Sequence, residues 1–323
     1  MNKSITGSTV LITGGTGTFG SAFLDKCLEC GAKEVRIFSR DEKKQYDMAQ
    51  HYKKHDNVKF YLGDIRDKKT IDYAMFGVDY VFHAAAMKQV PSCEDFPMEA
   101  LKTNIIGSEN VIVAAIQKHV KKIVCLSTDK AVYPTSAMGM AKAYMEKIAI
   151  QKAKQQNVTD ICITRFGNLV ASRGSAVPLF IEQYKNGLPI TITDPDMTRF
   201  MMTVDEATEL VKKAFEIGSS GDILVKRSKA CTTGDLAKAV YRFLNIPRDY
   251  PVNIIGKRAG EKMHEALLSE EEAEIAIEKN GFFIVSKNNI PKIRIPNVYV
   301  SDKAERMNEN DVLKLIESVV GGA

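Results

Sequence analysis

No run of about 18 consecutive apolar residues occurs in the chain, which excludes a membrane-spanning helix from the expectations. An apolar leader is missing too: Met1 to Gly7 is polar and runs directly into the first apolar strand, so a cytoplasmic protein is expected. Cysteine is sparse and poorly arranged for metal. The six residues Cys27, Cys30, Cys93, Cys125, Cys162 and Cys231 lack paired zinc spacing, and Cys27 with Cys30 supplies only half a site. Reduced, structural thiols are expected in a cytosolic setting. His264-Glu265 does not extend to His-Glu-x-x-His, so no metal is expected. Strong charge of one sign is absent as well. The net charge is only +5, with Lys and Arg scattered among acids, which suits an anionic small ligand better than a nucleic-acid surface. Internal repeats and low-complexity segments are missing.

What is present is ordinary globular composition, 45% hydrophobic and 26% charged, over 323 residues. That length accommodates one large α/β body with a dependent second lobe. The first half alternates β-branched runs with helical patterns, which predicts βαβ units around a parallel sheet. Strands are expected at Thr9 to Thr13, Glu34 to Phe38, Val58 to Leu62, Tyr80 to His83, Lys122 to Ser127 and Asp160 to Thr164. Their near-continuous apolar character predicts burial on both faces. After Arg165 the texture changes to short motifs broken by Gly and Pro, with helices near Val204 to Glu216 and Thr233 to Leu244. An acidic helix is expected from Ser269 to Asn280. The division is placed at 1–165 for a nucleotide domain and 166–323 for a substrate lobe, part of which returns to the main sheet.

Val10-Leu11-Ile12-Thr13-Gly14-Gly15-Thr16-Gly17-Thr18-Phe19-Gly20 sets glycines between a strand and the start of a helix. Glycines permit a tight turn and close backbone approach, while the helix N-terminus offers free N–H groups to a pyrophosphate. A P-loop is excluded by the missing Gly-Lys-Ser/Thr ending. The expected architecture is therefore α/β, a Rossmann-type doubly wound parallel sheet with a smaller C-terminal substrate lobe. In this setting Gly14, Thr16, Gly17, Thr18, Phe19 and Gly20 are the phosphate-binding candidates. At the end of the second strand Ser39 stands where an NAD-specific protein would place a carboxylate against the ribose 2′-hydroxyl. Arg40 and Lys43 follow and can meet a 2′-phosphate, so NADP is favoured, with Asp41 leaving NAD as the alternative. Asp64 and Ile65 suit the adenine edge, and Ala84, Ala85 and Ala86 give small side chains where a dinucleotide must pass.

Ser127-Thr128-Asp129-Lys130, Ser39-Arg40-Asp41-Glu42 and Arg165-Phe166-Gly167-Asn168 carry a family resemblance. From Val10 to about Leu267 the chain resembles the inverting UDP-N-acetylglucosamine 4,6-dehydratases of the extended short-chain dehydrogenase superfamily, which serve capsule, O-antigen and flagellar sugar pathways. One departure stands out. Superfamily members usually carry Tyr-x-x-x-Lys, and Met138 occupies the tyrosine position here, followed by Lys142. A thioether has no titratable proton, so Met138 cannot deprotonate the sugar 4-hydroxyl. The same Met resembles a branch that also inverts C5, and sometimes C3.

The resemblance implies that Lys142 reaches the nicotinamide ribose while Met138 packs by the sugar. It also implies that Lys130 takes the C5 proton and Asp129 protonates the departing C6 hydroxyl. Burial and nearby cations such as Lys142 are expected to lower the Lys130 pKa for that task. Thr128, Lys142 and Tyr133 are the candidates for the missing base. Asn168, Arg199 and Arg258 are candidate donors to a UDP diphosphate, Glu261 an acceptor for a ribose hydroxyl, and Ser172-Arg173-Gly174-Ser175 a phosphate or uridine loop. Lys88 and Glu94 are further substrate candidates. The implied partner is UDP-N-acetylglucosamine or a related UDP-sugar, and the implied assembly a homo-oligomer, often a hexamer. Two other readings share these residues. A nucleotide-sugar 4-epimerase needs the same cofactor but has no leaving group to protonate, and a non-catalytic NADP-binding regulatory protein would not need Asp129, Lys130 and Lys142 together.

Overall fold

The structure is a computed structural model, and it describes residues 5–170, 172, 174–247, 249–286 and 298–320. Its first half alternates strand and helix: β1 (Thr9–Thr13), α1 (Thr18–Glu29), β2 (Glu34–Ser39), α2 (Glu42–His51), β3 (Val58–Leu62) and α3 (Lys68–Ala74). There follow β4 (Tyr80–His83), α4 (Val90–Asp95), α5 (Pro97–Ala100), α6 (Ser108–Gln117), β5 (Lys122–Leu126), α7 (Ala137–Gln155) and β6 (Asp160–Arg165). The second half adds β7 (Asn168–Leu169), α8 (Ala176–Lys185), β8 (Ile190–Ile192), β9 (Thr198–Met202), α9 (Val204–Ile217), β10 (Ile223–Lys226) and β11 (Ala230–Thr232). Last come α10 (Thr233–Phe243), β12 (Val252–Ile254), β13 (Ala266–Leu268), α11 (Glu270–Ile275), β14 (Ala276–Lys279), β15 (Phe282–Val285), β16 (Tyr299–Val300) and α12 (Glu309–Val320).

Side chains alternate along a strand, and here both sets are apolar, so the main sheet buries both faces. Leu11, Val81, Ile123 and Ile163 pack with Val111 and Met145 on one face. Ile12, Phe82, Val124 and Cys162 pack with Phe23, Leu24 and Leu210 on the other. The sheet has nine strands in the order β14-β15-β10-β6-β5-β4-β1-β2-β3. β1 to β6 and β10 run parallel, β15 runs antiparallel beside β10, and β14, antiparallel to β15, returns to the direction of the main strands. The chain winds outward from β1 to β3, then returns to lay β4 on the other side of β1. That reversal opens a crevice at the carboxyl ends of β1 and β4, where such sheets bind ligands.

Strands from the second half thus complete the main sheet and α9 covers one of its faces, while β7 to β9, β11, β12, α8, α10 and α12 form a lobe over its carboxyl edge. There β9 pairs β7 and β11, β8 pairs β12, and Phe180, Leu236, Val240 and Ile316 form a separate apolar cluster. The acidic helix expected from Ser269 to Asn280 ends at Ile275. Beyond it the chain becomes β14, because Asn280 (φ 53°) and Gly281 (φ 76°) make a tight turn that sets Lys279 opposite Phe282. Two successive left-handed residues between short apolar strands match the right-handed twist of a hairpin. Between α5 and α6, Leu101–Gly107 winds as a π-helix, a rare conformation that often marks functional sites.

Candidate active site

A cleft of about 810 Å³ runs along the carboxyl edge of the sheet into the second lobe. Its floor at one end is the glycine turn. A Cβ at Gly14 (φ +67°) would come within 2.8 Å of the Ala85 backbone, so this approach of β1 to β4 admits only glycine. Gly17 caps α1 with no side chain over the helix N-terminus, and the positive end of the helix faces the cleft. Thr16, Thr18, Phe19, Gly20, Asp64, Ile65, Ala84, Ala85 and Ala86 line the same stretch. Behind it, His83 bridges Thr13 Oγ1 at 2.7 Å and Ser108 Oγ at 2.8 Å. Burial, with Lys142 nearby, draws its pKa down to about 3, so His83 is a neutral brace.

Ser39 closes this end, its hydroxyl 2.9 Å from Thr16 Oγ1. Arg40 also lines the cleft and lies 3.9 Å from Asp64, a carboxylate that Arg66 engages at 2.6 Å. Lys43 does not contribute. It points along the helix to Asp47 at 2.6 Å, and Lys44 faces the cleft instead, 2.7 Å from Asp41. The reason is the N-cap. Asp41 accepts the Lys44 N–H, which sets the phase of α2 and turns the two neighbouring lysines to different sides.

At the far end Lys130, Thr128, Ser127, Met138 and Lys142 meet. The 3₁₀ turn Asp129–Ala131 hangs from the end of β5, and Thr128 Oγ1 donates to Asp129 Oδ1 at 2.9 Å. Asp129 is fully buried, lies outside the cleft wall, and has one oxygen, Oδ2, with no hydrogen-bond partner. Lys130 Nζ lies 3.0 Å from Asp129 Oδ1, 3.4 Å from Asn168 Oδ1 and 3.5 Å from Glu265 Oε1. Burial pulls the Lys130 pKa down, but Asp129 and Glu265 outweigh burial and the opposing Arg199, leaving it above the usual lysine value. The expected lowering is therefore reversed, because two carboxylates rather than cations surround this ammonium. Lys142 is the lysine made less basic: burial brings it to about 8, and Nζ donates to Leu126 O at 2.7 Å. Met138 is buried against Cys93 and Ala100 and presents no polar atom beyond its thioether.

The second lobe supplies Asn168, Leu169, Ser172, Gly174, Ser175, Arg258 and Glu261 to the cleft, and Lys88 lines it from the first half. Arg258 Nη1 lies 3.9 Å from Glu261 Oε1. Arg173 falls outside the described residues. Arg199 does not reach the cleft wall, because its guanidinium donates to Thr198 O at 2.8 Å and Met263 O at 3.2 Å. Glu94 instead accepts the Ala137 N–H at the start of α7, and the Tyr133 hydroxyl accepts the Glu270 N–H outside the cleft. The sequence reading missed Lys44, Gln89, Thr103 and Glu265. Thr103 reaches the cleft from the π-helix, and its hydroxyl is buried without a partner. The Asp41 cap was a local signal for Lys44; Glu265 had none, since it meets Lys130 from the other half of the chain.

A family model described as "Polysaccharide biosynthesis protein" matches residues 10–287. A relative from Rickettsia rickettsii (strain Sheila Smith), named UDP-glucose 4-epimerase, is 47% identical over 326 residues, covering 95% of each chain. The solved structure of Pen from Bacillus thuringiensis superposes with a TM-score of 0.92 at 36% identity, covering 97% of this chain and 99% of that one. DesIV, a dTDP-glucose 4,6-dehydratase from Streptomyces venezuelae solved with NAD and TYD bound, has a TM-score of 0.71 at 22% identity over 79% of this chain and 86% of its own. That last likeness establishes the fold alone.

Proposed function

Since the chain belongs to the polysaccharide biosynthesis family of nucleotide-sugar epimerases and dehydratases, we propose that it is an NADP-dependent UDP-N-acetylglucosamine 4,6-dehydratase that inverts C5. The observation that carries this reading is the Asp129–Lys130 pair, 3.0 Å apart beside the cleft, with Met138 in place of a hydroxyl base. A 4-epimerase only removes and restores hydride at C4. It needs one base for the 4-hydroxyl proton but has no leaving group, and so no use for an acid–base pair beside C5 and C6.

The glycine turn and the first turn of α1 would hold the cofactor pyrophosphate, Arg40 and Lys44 the 2′-phosphate, and Lys142 the nicotinamide ribose. When bound, the nicotinamide would supply the hydride acceptor for C4 and the hydride donor for C6, and the 4-hydroxyl proton would leave to solvent by way of the Thr128 hydroxyl, which lines the same end of the cleft. Arg258, Glu261, Ser172, Gly174 and Ser175 would hold the UDP, leaving the sugar against Met138 and Lys130. With C4 a ketone, the C5 hydrogen is acidic. Transfer of one proton from Lys130 to Asp129 turns the ion pair into a neutral amine and a neutral acid. The amine then takes the C5 proton. Asp129 is buried, so its proton passes through the Thr128 hydroxyl, 2.9 Å away, to the C6 oxygen, which leaves as water. Lys130 ends as ammonium and Asp129 as carboxylate, their starting states. Inversion follows when a solvent-derived proton returns to the opposite face of C5.

The name borne by the relatives at 47% identity favours a second reading, a UDP-glucose 4-epimerase. One experiment separates the two. Incubated with NADP and either UDP-N-acetylglucosamine or UDP-glucose in deuterated water, the protein is expected to convert the N-acetyl sugar to a product lighter by one water with deuterium at C5. A product of unchanged mass, inverted at C4 and free of deuterium, would establish the epimerase. For the cofactor, NADP is expected to bind more tightly than NAD by calorimetry, with the preference lost in the Arg40→Ala/Lys44→Ala double variant.

A further inference from the structure

The segment before β13 joins the substrate end of the cleft to Lys130. Thr135 Oγ1 donates to Gly260 O at 2.9 Å, and Lys262 Nζ donates to Val132 O at 2.8 Å, so this segment is fastened to the chain that leads from Lys130 into α7. A Cβ on Gly260 (φ +75°) would come within 2.8 Å of Ser136 Cβ, so the fastening leaves no room for a side chain. Arg258 and Glu261 sit on the same segment and line the cleft. Glu265 ends it, 1% exposed, with its N–H donating to Ser301 Oγ at 2.9 Å.

The Glu265 carboxylate faces two cations, Lys262 at 2.7 Å and Lys130 at 3.5 Å. A carboxylate at that depth requires compensation, and Lys262 at the shorter distance already supplies it. The approach to Lys130 therefore acts chiefly on Lys130. That ammonium has two acceptors, Asp129 and Asn168, and an ion pair with Glu265 from a third side, which between them fix its direction. The charged groups around it come from several elements: Asp129 from its own turn, Arg199 from β9, Glu265 and Lys262 from the segment before β13, and Lys142 from α7 in the same cleft. Asp129 and Glu265 favour the ammonium, whereas Arg199 and, by neutralising Glu265, Lys262 oppose it.

We propose that Glu265 is a positioning residue for Lys130, holding its ammonium charged and aimed between Asp129 and the cleft, and that Lys262 couples this hold to the segment carrying Arg258 and Glu261. The step Lys130 performs rests on the dehydratase reading; the electrostatic hold does not. Two substitutions with opposite signs test it. Glu265→Gln removes a neighbouring anion and should lower the pH at which Lys130 titrates by about one unit, while Lys262→Met should raise it. Both are read in the whole protein by acetylation of Lys130 with acetic anhydride as a function of pH, followed by peptide mass spectrometry, which requires no turnover. In turnover the less basic amine of Glu265→Gln should shift the acid limb of the kcat profile down by about one pH unit, while lost aim lowers its plateau by about 10- to 100-fold with KM nearly unchanged, and Glu265→Asp should restore part of the plateau.

If Glu265→Gln fails to fold by thermal melting, the upward shift in Lys262→Met carries the test, because Glu265 keeps Lys130 as its counter-ion in that variant. Titration of Lys130 unmoved in the variants that fold, or moved in the same direction by both substitutions, overturns the proposal. A parent protein that releases no dehydrated sugar sinks the dehydratase reading instead and leaves the acetylation result to decide the role of Glu265.

Discussion

Lys142 and Lys130 line one cleft, yet burial draws the first down to about 8 while the second stands above the usual lysine value. Their partners differ. Lys142 donates to a neutral carbonyl, Leu126 O, and the nearby Glu146 is committed to Arg165 at 2.6 Å, whereas Lys130 faces two carboxylates. The consequence for Lys142 is a pH-dependent hold on cofactor. An anionic dinucleotide stabilises the ammonium, so the pKa in the complex lies above the free value of about 8. NADP affinity should accordingly be flat below pH 8 and weaken above it, by up to about tenfold per pH unit, until the pKa of the complex is reached. Calorimetric titration on both sides of pH 8 checks this, with Lys142→Met expected to give weaker, flat binding. A parent affinity that does not change with pH would remove Lys142 from the cofactor site.

The β14–β15 hairpin shows how one dipeptide overrides a helical start. Ser269 and Glu272 form a reciprocal cap, a strong signal for helix that explains why the acidic run was expected to continue to Asn280. Asn280-Gly281 was the countervailing signal, and it prevails because Ile277 and Ile284 can pair within the sheet that β10 extends. Gly281 (φ +76°) has no atom within 4 Å of a would-be Cβ, so Gly281→Ala tests backbone conformation and nothing else. The left-handed conformation costs alanine about 1 kcal/mol. For a chain of this size that corresponds to a Tm lower by about 1–2 °C, measured by calorimetry. A variant as stable as the parent would mean that the turn is not held in this conformation.

Arg165 ties the body of the molecule together. It is 1% exposed on β6, and its guanidinium reaches Glu146 on α7 at 2.6 Å, Glu272 on α11 at 2.8 Å and the carbonyl of Leu267 at 2.8 Å. Arg165→Met should destabilise the protein by about 3–5 kcal/mol, because it strands two carboxylates in the interior. The loss depends on pH in a definite direction. Burial alone would raise the pKa of Glu272, but Arg165 outweighs it and holds the carboxyl below the usual range. In the parent this stabilisation is present above about pH 4.3 and is lost as pH falls through the depressed native value. Without Arg165 burial raises the pKa instead, and protonation relieves the variant. Melting at neutral and mildly acidic pH should show the gap between parent and variant narrowing with acid. A gap that widens in acid would contradict the assignment of Arg165 as the compensating charge.

Sequence alone was enough for the features encoded within a few residues. The strands β1 to β6 announced themselves by apolar runs, Gly14 to Gly20 by its place between strand and helix, and Met138 with Lys142 by a spacing that shares one face of α7. These follow from backbone sterics and periodicity, which are local. Tertiary structure decided where charges from distant segments meet. It kept the Arg199 guanidinium on backbone carbonyls and brought Glu265 beside Lys130. Electrostatic energy depends on separation in space and on depth from water, and neither can be read from position along the chain. That is why the glycine turn and the Met138–Lys142 pair were legible in sequence, while Thr103 on the cleft wall and the basicity of its two lysines were not.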